Sequence, residues 1–488
     1  MTEAPTIDRP MPAGLTDDQC YRALRARDAR FDGRFIVGVR TTGIYCRPSC
    51  PTPIQPLRRN IDFFITVAAA QRSGLRACKR CRPDAVPGSP EWDTRGDLIG
   101  RAMRLIERGR LDTGSVAELA SDLGVTERHL RRLMIEAVGA PPLSIARAQR
   151  AQTARTLIET TDLTFTEVAF AAGFSSLRQF NDTIRAVFDA TPTKLRGGAR
   201  STPSRPGRLS IRLPHRRPLA ADHLLPWWAG RSVHGVAEVD DATIRTALRL
   251  PRGTGVAELT PGPESWVDCI LELQDIADLA PAVAQCRAML DLDADPDQID
   301  ETLAALEALR PLVIRRPGLR SPGSTDGFAT CVFAILGQQR SVAAARTIAG
   351  RIVERVDGPS EGEVLRPFPT AAALADADLD GLGLNGRAIE TIHRLATTFT
   401  DRVDELGPGG DQRSIADELL AIKGIGPWTV NYIAMRVFGD PDVFLAGDLI
   451  AERVATGFGL DATDLEQVRP WRSYVTHHLW AASADGKD

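Results

Sequence analysis

The chain has 488 residues, 43% of them hydrophobic, and a formal net charge of −3. That length is too great for a single core and implies about three domains. No run approaches the roughly 20 apolar residues that span a bilayer, and the opening MTEAPTIDRP lacks the basic-then-apolar pattern of a secretory signal, so no membrane partner and a cytoplasmic location are expected. The net charge hides an asymmetry: residues 1–200 hold roughly 31 Lys and Arg against 22 Asp and Glu. A basic half suits a polyanion partner such as nucleic acid, although a solvated surface shows the same excess.

The first element with chemistry is GIYCRPSC, residues 43–50, followed by RACKRC, residues 76–81. Cys46 and Cys50 form a C-x3-C pair, Cys78 and Cys81 a C-x2-C pair. Two such turns can close a tetrahedron of sulfur around one Zn²⁺ per chain. Disulfides are the other reading, and a reducing cytoplasm disfavours them. Cys20, Cys269, Cys286 and Cys331 have no such partners and read as small core residues.

The segment 15–84, LTDDQCYRALRARDARFDGRFIVGVRTTGIYCRPSC with GLRACKRCRPD after it, resembles the N-terminal domain of the Ada family. The resemblance implies that Cys46 is both a zinc ligand and an irreversible methyl acceptor from methylphosphotriesters in DNA. A metal keeps such a sulfur as thiolate, the nucleophilic form. Its methylation removes one negative charge from the DNA-facing site, which is a route from weak to tight DNA binding. Arg47, Arg76, Lys79 and Arg80, with Thr42 as a hydroxyl donor, are the candidate phosphate contacts. The sequence departs from Ada at Pro51 and Pro53, where that family has arginines.

Next come SVAELASDLGVTERHLRRLM, residues 115–134, and FTEVAFAAGFSSLRQFNDTI, residues 165–184. Each places a small alanine four residues before a glycine, Ala120 and Gly124 in the first, Ala169 and Gly173 in the second, as a helix-turn-helix requires. Joined by a long helical stretch through SIARAQRAQTARTLIET, the pair resembles the AraC-type DNA-binding domain, with ATPTKLR as its ending. Arg128, His129, Arg131 and Arg132 fall on or near the first recognition helix, and Ser176, Arg178 and Gln179 hold comparable places in the second. Promoter DNA is the implied partner, with RNA polymerase engaged by an activator.

A Gly/Ser/Pro/Arg-rich linker, residues 198–207, separates this half from the rest. RLSIRL and DCILELQ then alternate as strands do. Further on, LLAIKGIGPWTVNY, residues 419–432, brings two helical patterns together at Gly424 and Gly426, where exposed N–H groups can hold a phosphate. With Asp448 twenty-two residues past Gly426, FATCVFAILGQQRSV before it and RPWRSYVTHHLWA after it, the region resembles the AlkA branch of the helix-hairpin-helix glycosylases, which excise alkylated purines.

That resemblance implies that Asp448 is the essential carboxylate. It implies that Trp428, Tyr432, Trp480 and Trp227 form an aromatic pocket for a cationic flipped base. Ordinary core packing is the other reading of these rings, and a helix cap that of Asp448. Gln339 stands where AlkA has an apolar wedge. Trp428 occupies the position of the lysine nucleophile of bifunctional members, so a monofunctional DNA-3-methyladenine glycosylase II is expected, leaving an abasic site. Lys423 precedes the hairpin and is no substitute.

The expected fold class is multidomain and mainly α. A small α+β zinc domain spans 1–88, an all-α double helix-turn-helix domain 91–197, an α+β AlkA-like subdomain 208–292, and an all-α helix-hairpin-helix core 293–488. The expected function is a DNA alkylation repair and adaptive-response regulator acting on double-stranded alkylated DNA. It combines a single-turnover methylphosphotriester-DNA:cysteine methyltransferase with the glycosylase, and no second methyl-acceptor motif is present. The alternatives are a regulator with an inactive glycosylase-like half, and a constitutive enzyme whose zinc domain is purely structural.

Overall fold

The computed structural model describes residues 15–485 except positions 33, 51, 53–54, 66, 79–80, 82, 84–101, 103–104, 107–109, 139, 161–162, 189, 197–207, 339, 359–363 and 408–411. Lys79, Arg80, Pro51, Pro53, the linker and Gln339 therefore lie outside the described residues. The chain packs as two units, Met1–Met103 with Ala120–Pro142, and Arg104–Leu119 with Leu143–Asp488. Residues 91–197, read above as one domain, thus contribute to both.

In the first unit, α1 (Asp17–Ala26) starts at a capping box. Thr16 Oγ1 accepts from the Gln19 N–H, and Gln19 Oε1 accepts from the Thr16 N–H. This satisfies two helix-end donors at once. Strands β1 (Ile36–Val39), β2 (Ile44–Cys46), β3 (Ile61–Phe64) and β4 (Arg76–Ala77) form a sheet of order β3-β1-β2-β4, with helix α2 (Val67–Arg72) between the last two. Only β2 and β4 run parallel. Ile36, Tyr45, Phe64 and Ala70 form one cluster of its core, beside other buried side chains such as Phe31, Phe35 and Phe63.

The first helix-turn-helix comprises α3 (Val116–Asp122) and α4 (Glu127–Val138). Gly124, at φ 70°, takes the left-handed turn that an L side chain resists. A backbone bond from Val125 N–H to Ala120 O, 2.9 Å, closes it. The second copy, in the other unit, comprises α6 (Phe165–Ala171) and α7 (Leu177–Phe188) after the connecting helix α5 (Pro142–Thr160). It repeats the device: Gly173 at φ 81° and Phe174 N–H to Ala169 O at 2.9 Å. The expected repeat is therefore a repeat of hydrogen bonds.

The second unit also holds an antiparallel five-stranded sheet, order β5-β9-β8-β7-β6, with strands Leu209–Pro214, Ala237–Val239, Ile244–Leu250, Gly253–Pro261 and Trp266–Leu273 in chain order from β5 to β9. Helix α8 (Ala221–Ala229) follows β5, and α9 (Leu279–Met289) packs on β7, β8 and β9. Leu157, Val168 and Phe180 of the helix-turn-helix join Ile211, Leu259 and Met289 of this layer in one hydrophobic cluster. A second cluster fills the helical region that follows. It packs α10 (Gly327–Leu336), α11 (Val342–Asp357), α12 (Gly386–Phe399), α13 (Gln412–Ala421) and α14 (Pro427–Arg436) around residues such as Phe328, Ile352, Leu395, Phe399 and Met435. Helices α15 (Leu449–Gly457) and α16 (Arg472–Asp485) complete it. Among the described residues no helix is long and apolar enough to cross a membrane. Cys20, Cys269, Cys286 and Cys331 are fully buried.

Candidate functional site

The short sheet explains how two distant cysteine pairs meet. Cys46 ends β2, and parallel pairing with β4, continued by a bond from Cys78 N–H to Tyr45 O at 2.9 Å, brings the second pair alongside. The turn Cys50 N–H to Arg47 O, 3.1 Å, folds the first pair back on itself. All four Sγ atoms lie within 4.8 Å of one another, and Cys50 and Cys78 are 3.9 Å apart. A regular ZnS₄ tetrahedron with bonds of about 2.3 Å needs sulfurs about 3.8 Å apart, so the set fits one Zn²⁺. Hydrogen bonding to Cys50 and Cys81 and burial push the Cys46 thiol up, while the same contacts pull Cys50 down, so the metal-free thiols share their protons.

Around it, Arg47 pairs with Asp32 at 3.4 Å. Burial raises Asp32 to about 6 although Arg47 and Ser49 oppose the shift. Arg76 stands exposed on β4, and the exposed Thr42 donates its hydroxyl to Val39 O at 3.3 Å. Arg128, Arg131 and Arg132 are exposed on α4, and His129 is half-buried with Nδ1 3.2 Å from Arg132. On the second copy Arg178 is exposed, 4.0 Å from Asp182, while Ser176 caps α7 by accepting from the Gln179 N–H.

The hairpin between α13 and α14 is tight because Gly424 takes φ 106°, where a Cβ would collide with Thr391 Oγ1. Thr391 donates to Lys423 O at 3.1 Å, and Gln338 donates to both Gly424 O at 2.9 Å and Thr429 Oγ1 at 3.0 Å. Gly426 caps α14 with open space where its Cβ would be, leaving room for a phosphate against the helix start.

Beside the hairpin is a cavity of about 500 Å³ lined by Trp227, Trp428, Tyr432, Asp448 and Trp480, among others. The structure thus brings together five residues spread over more than 250 positions. Asp448 caps α15: its Oδ1 accepts from the Ala451 N–H at 2.8 Å and from Trp480 Nε1 at 3.1 Å. The helix-cap reading and the cavity reading therefore hold together, and Oδ2 keeps no partner among the described residues. Trp428 and Tyr432, one helical turn apart, stack at 5.5 Å and 17°.

Sequence reasoning missed the polar groups behind this wall. His477 lies edge-on to Trp480 at 5.2 Å and near Trp227 at 6.0 Å, and burial holds it neutral, well below its usual range. Arg231 and Arg436 lie over Trp227 at 4.0 and 4.1 Å. The THHLW string placed His477 three residues before Trp480, but only packing shows that Trp480 lines the cavity while His477 is buried behind it.

Three family profiles match: the metal binding domain of Ada over residues 19–84, a helix-turn-helix domain over 119–198, and the AlkA N-terminal domain over 210–326. The probable bifunctional transcriptional activator/DNA repair enzyme AlkA of Mycobacterium tuberculosis (strain ATCC 25618 / H37Rv) is 48% identical over 476 residues, covering 95% of this chain and 96% of that protein. DNA-3-methyladenine glycosylase 2 of Escherichia coli (strain K12) is 33% identical over 53% of this chain and 92% of its own length. The bifunctional transcriptional activator/DNA repair enzyme Ada of the same strain is 38% identical over 29% of this chain and 38% of its own length. The solved 3-methyladenine DNA-glycosylase from Archaeoglobus fulgidus shares the fold, with a TM-score of 0.50 at 20% identity, over 57% of this chain and 99% of that one. The chain belongs to the family of bifunctional transcriptional activator/DNA repair enzymes in which an Ada-type metal-binding domain and a helix-turn-helix domain are joined to an AlkA-type glycosylase.

Proposed function

We propose that both ends act on methylated double-stranded DNA, one on its backbone and one on its bases. At the N-terminal end Cys46 Sγ takes the methyl group of a methylphosphotriester. The S–C bond forms as the C–O bond breaks, and the phosphodiester leaves as an anion. Zinc, held by Cys46, Cys50, Cys78 and Cys81, supplies thiolate character when bound. The product is a thioether, so the transfer happens once per chain. Arg47, next to Cys46, with Arg76 and Thr42 near the start of β2, would hold the flanking phosphate.

Loss of one negative charge then favours DNA binding, and the exposed arginines of α4 and Arg178 of α7 would read a promoter as the chain acts as an activator, with RNA polymerase its partner. Free thiols for the metal suit a cytoplasmic setting.

At the C-terminal end, Gly424 and Gly426 would seat a phosphate while the flipped base enters the cavity. Trp428, Tyr432 and Trp480 offer electron-rich faces to a cationic base such as 3-methyladenine. Asp448 offsets the positive charge that grows on the sugar and aligns water, as carboxylates do at glycosidic bonds. With no lysine where Trp428 stands, the product is an abasic site. The observation that carries this reading is the Trp480–Asp448 bond at the wall of an aromatic cavity. The same feature weighs against a regulator whose glycosylase half is inert.

Incubating the zinc-loaded chain with methylated DNA tests both halves in one tube. Intact mass should rise by one methyl group at Cys46, and alkylated purines should appear free in solution over uncut abasic DNA. Absence of the mass change sinks the acceptor role. Absence of free bases, or covalent trapping on DNA by borohydride, sinks the monofunctional glycosylase.

A further inference from the structure

The cavity has a second, cationic end. Arg231, two residues past α8, lines it alongside Asp448 and Tyr432. Arg436, the last residue of α14, lies behind it. No carboxylate among the described residues pairs with either guanidinium. Arg436 is committed: it donates to Gly323 O at 2.7 Å and points at the Tyr432 hydroxyl at 3.4 Å, and burial lowers it to about 10.

Arg231 is not so committed. Its Nε is buried without an acceptor just as that of Arg436 is, but Arg231 alone of the two lines the cavity. Of its other N–H groups one meets Trp227 O at 3.3 Å and one side of the guanidinium hydrogen-bonds the Tyr432 hydroxyl, which leaves terminal N–H groups for a ligand. A half-buried cation with spare donors at a cavity wall is relieved by an acceptor brought in by a ligand. With two guanidiniums against Trp227, little of that ring is left to stack on a base. Cation–π selection therefore falls to Trp428, Tyr432 and Trp480, and Arg231 adds a separate demand for an acceptor.

Among alkylated purines that demand separates two classes. A guanine-type base carries a carbonyl oxygen at position 6, an acceptor. An adenine-type base carries an amino group there, a donor, and offers a guanidinium only the weaker acceptors of its ring nitrogens. We propose that Arg231 is a specificity-determining residue that donates to the carbonyl of a flipped guanine-type base, so that 7-methylguanine gains excision relative to 3-methyladenine. This rests on the glycosylase reading above and adds to it the class of base.

Duplex DNA methylated by dimethyl sulfate carries both bases, and chromatography of released bases gives the ratio of their initial rates from one tube, whatever fraction of a variant is folded. Arg231→Gln should lower the 7-methylguanine to 3-methyladenine ratio about tenfold or more, the range expected for a lost charged hydrogen bond in a discriminating pocket. Arg231→Lys, which keeps the charge but loses the fork, should fall between. If Arg231→Gln releases neither base, quenching of tryptophan fluorescence by free 7-methylguanine and by free 3-methyladenine in parent and Arg231→Lys decides. Selective loss of 7-methylguanine affinity supports the proposal, and equal loss overturns it. A ratio within twofold of parent, or one that rises, overturns it and leaves the glycosylase reading standing. A parent that releases neither base overturns both.

Discussion

The two ends of this chain meet methylated DNA with different materials. At one end a sheet with strands of two to four residues presents four thiols, over buried side chains such as Phe31, Phe35, Tyr45 and Phe63. At the other, a carboxylate at a helix start sits in a cavity supported by a cluster of more than thirty buried residues. A domain that small gains order from its metal, so its reactive atom is also its staple. The large cluster supports an open cavity of about 500 Å³. One chemistry consumes the protein because a thioether is stable, and the other turns over because water takes up the sugar and no bond to the protein remains.

The sharpest way to break that comparison is to disable each end alone. Cys46→Ala should abolish methyl uptake altogether, and Asp448→Asn should cut excision about 100-fold or more, the usual cost of a lost preorganised charge. Each should leave the other activity within about twofold, since sites in separate units that share no partners behave independently. Intact mass and base release read the two outcomes. Cross-effects larger than tenfold would mean that the ends are coupled.

A smaller effect sharpens the cavity side. Trp480→Phe removes the donor that fixes Asp448 Oδ1 while keeping an aromatic wall. Excision should fall about tenfold through kcat, as for one charge-assisted hydrogen bond, with Asp448→Asn in the same background costing less than it does in the parent. Full additivity of the two variants would show that the bond is incidental.

The smallest effect concerns acid. Burial lowers His478 to about 3 and His223 to about 4. Below about pH 6.5 the unfolded chain therefore binds protons that the fold refuses, so stability present above that pH is lost as pH falls toward 4. The melting temperature of the second unit should drop by roughly 5–10 °C between pH 7.5 and 5. Tryptophan fluorescence reports it, since six of the seven tryptophans lie in that unit. His478→Asn should flatten the dependence. A melt that ignores pH would mean that these imidazoles charge in place.

Much of this was legible in the sequence because the signals were local. The C-x3-C and C-x2-C spacings, the alanine-glycine repeat and the Gly424–Gly426 hairpin each fix geometry within a few residues, and among the described residues the structure shows the first cysteine turn, both alanine-glycine turns and the hairpin closing. Asp448 was legible by its distance from the hairpin. What escaped was Gln338 bracing the hairpin across more than eighty residues, and Arg231, Arg436 and His477 gathered behind Trp227 and Trp480. A lone arginine or histidine in a string carries no mark of what it will face.

The family resemblance supplied the roles proposed for Asp448 and the aromatic residues, while the sequence by itself determined the local devices: two short cysteine pairs, two alanine-glycine helix pairs and the Gly424–Gly426 hairpin. Backbone conformation and short spacings suffice for these, since turns and helix starts are decided over a handful of residues. Only the tertiary structure decided that the second helix-turn-helix shares a hydrophobic cluster with the five-stranded sheet, that Trp480 donates to Asp448 across thirty-two positions, and that two guanidiniums occupy Trp227. A cavity is the space left when distant helices pack at fixed distances, so its lining is a property of the packing and not of any one stretch of chain.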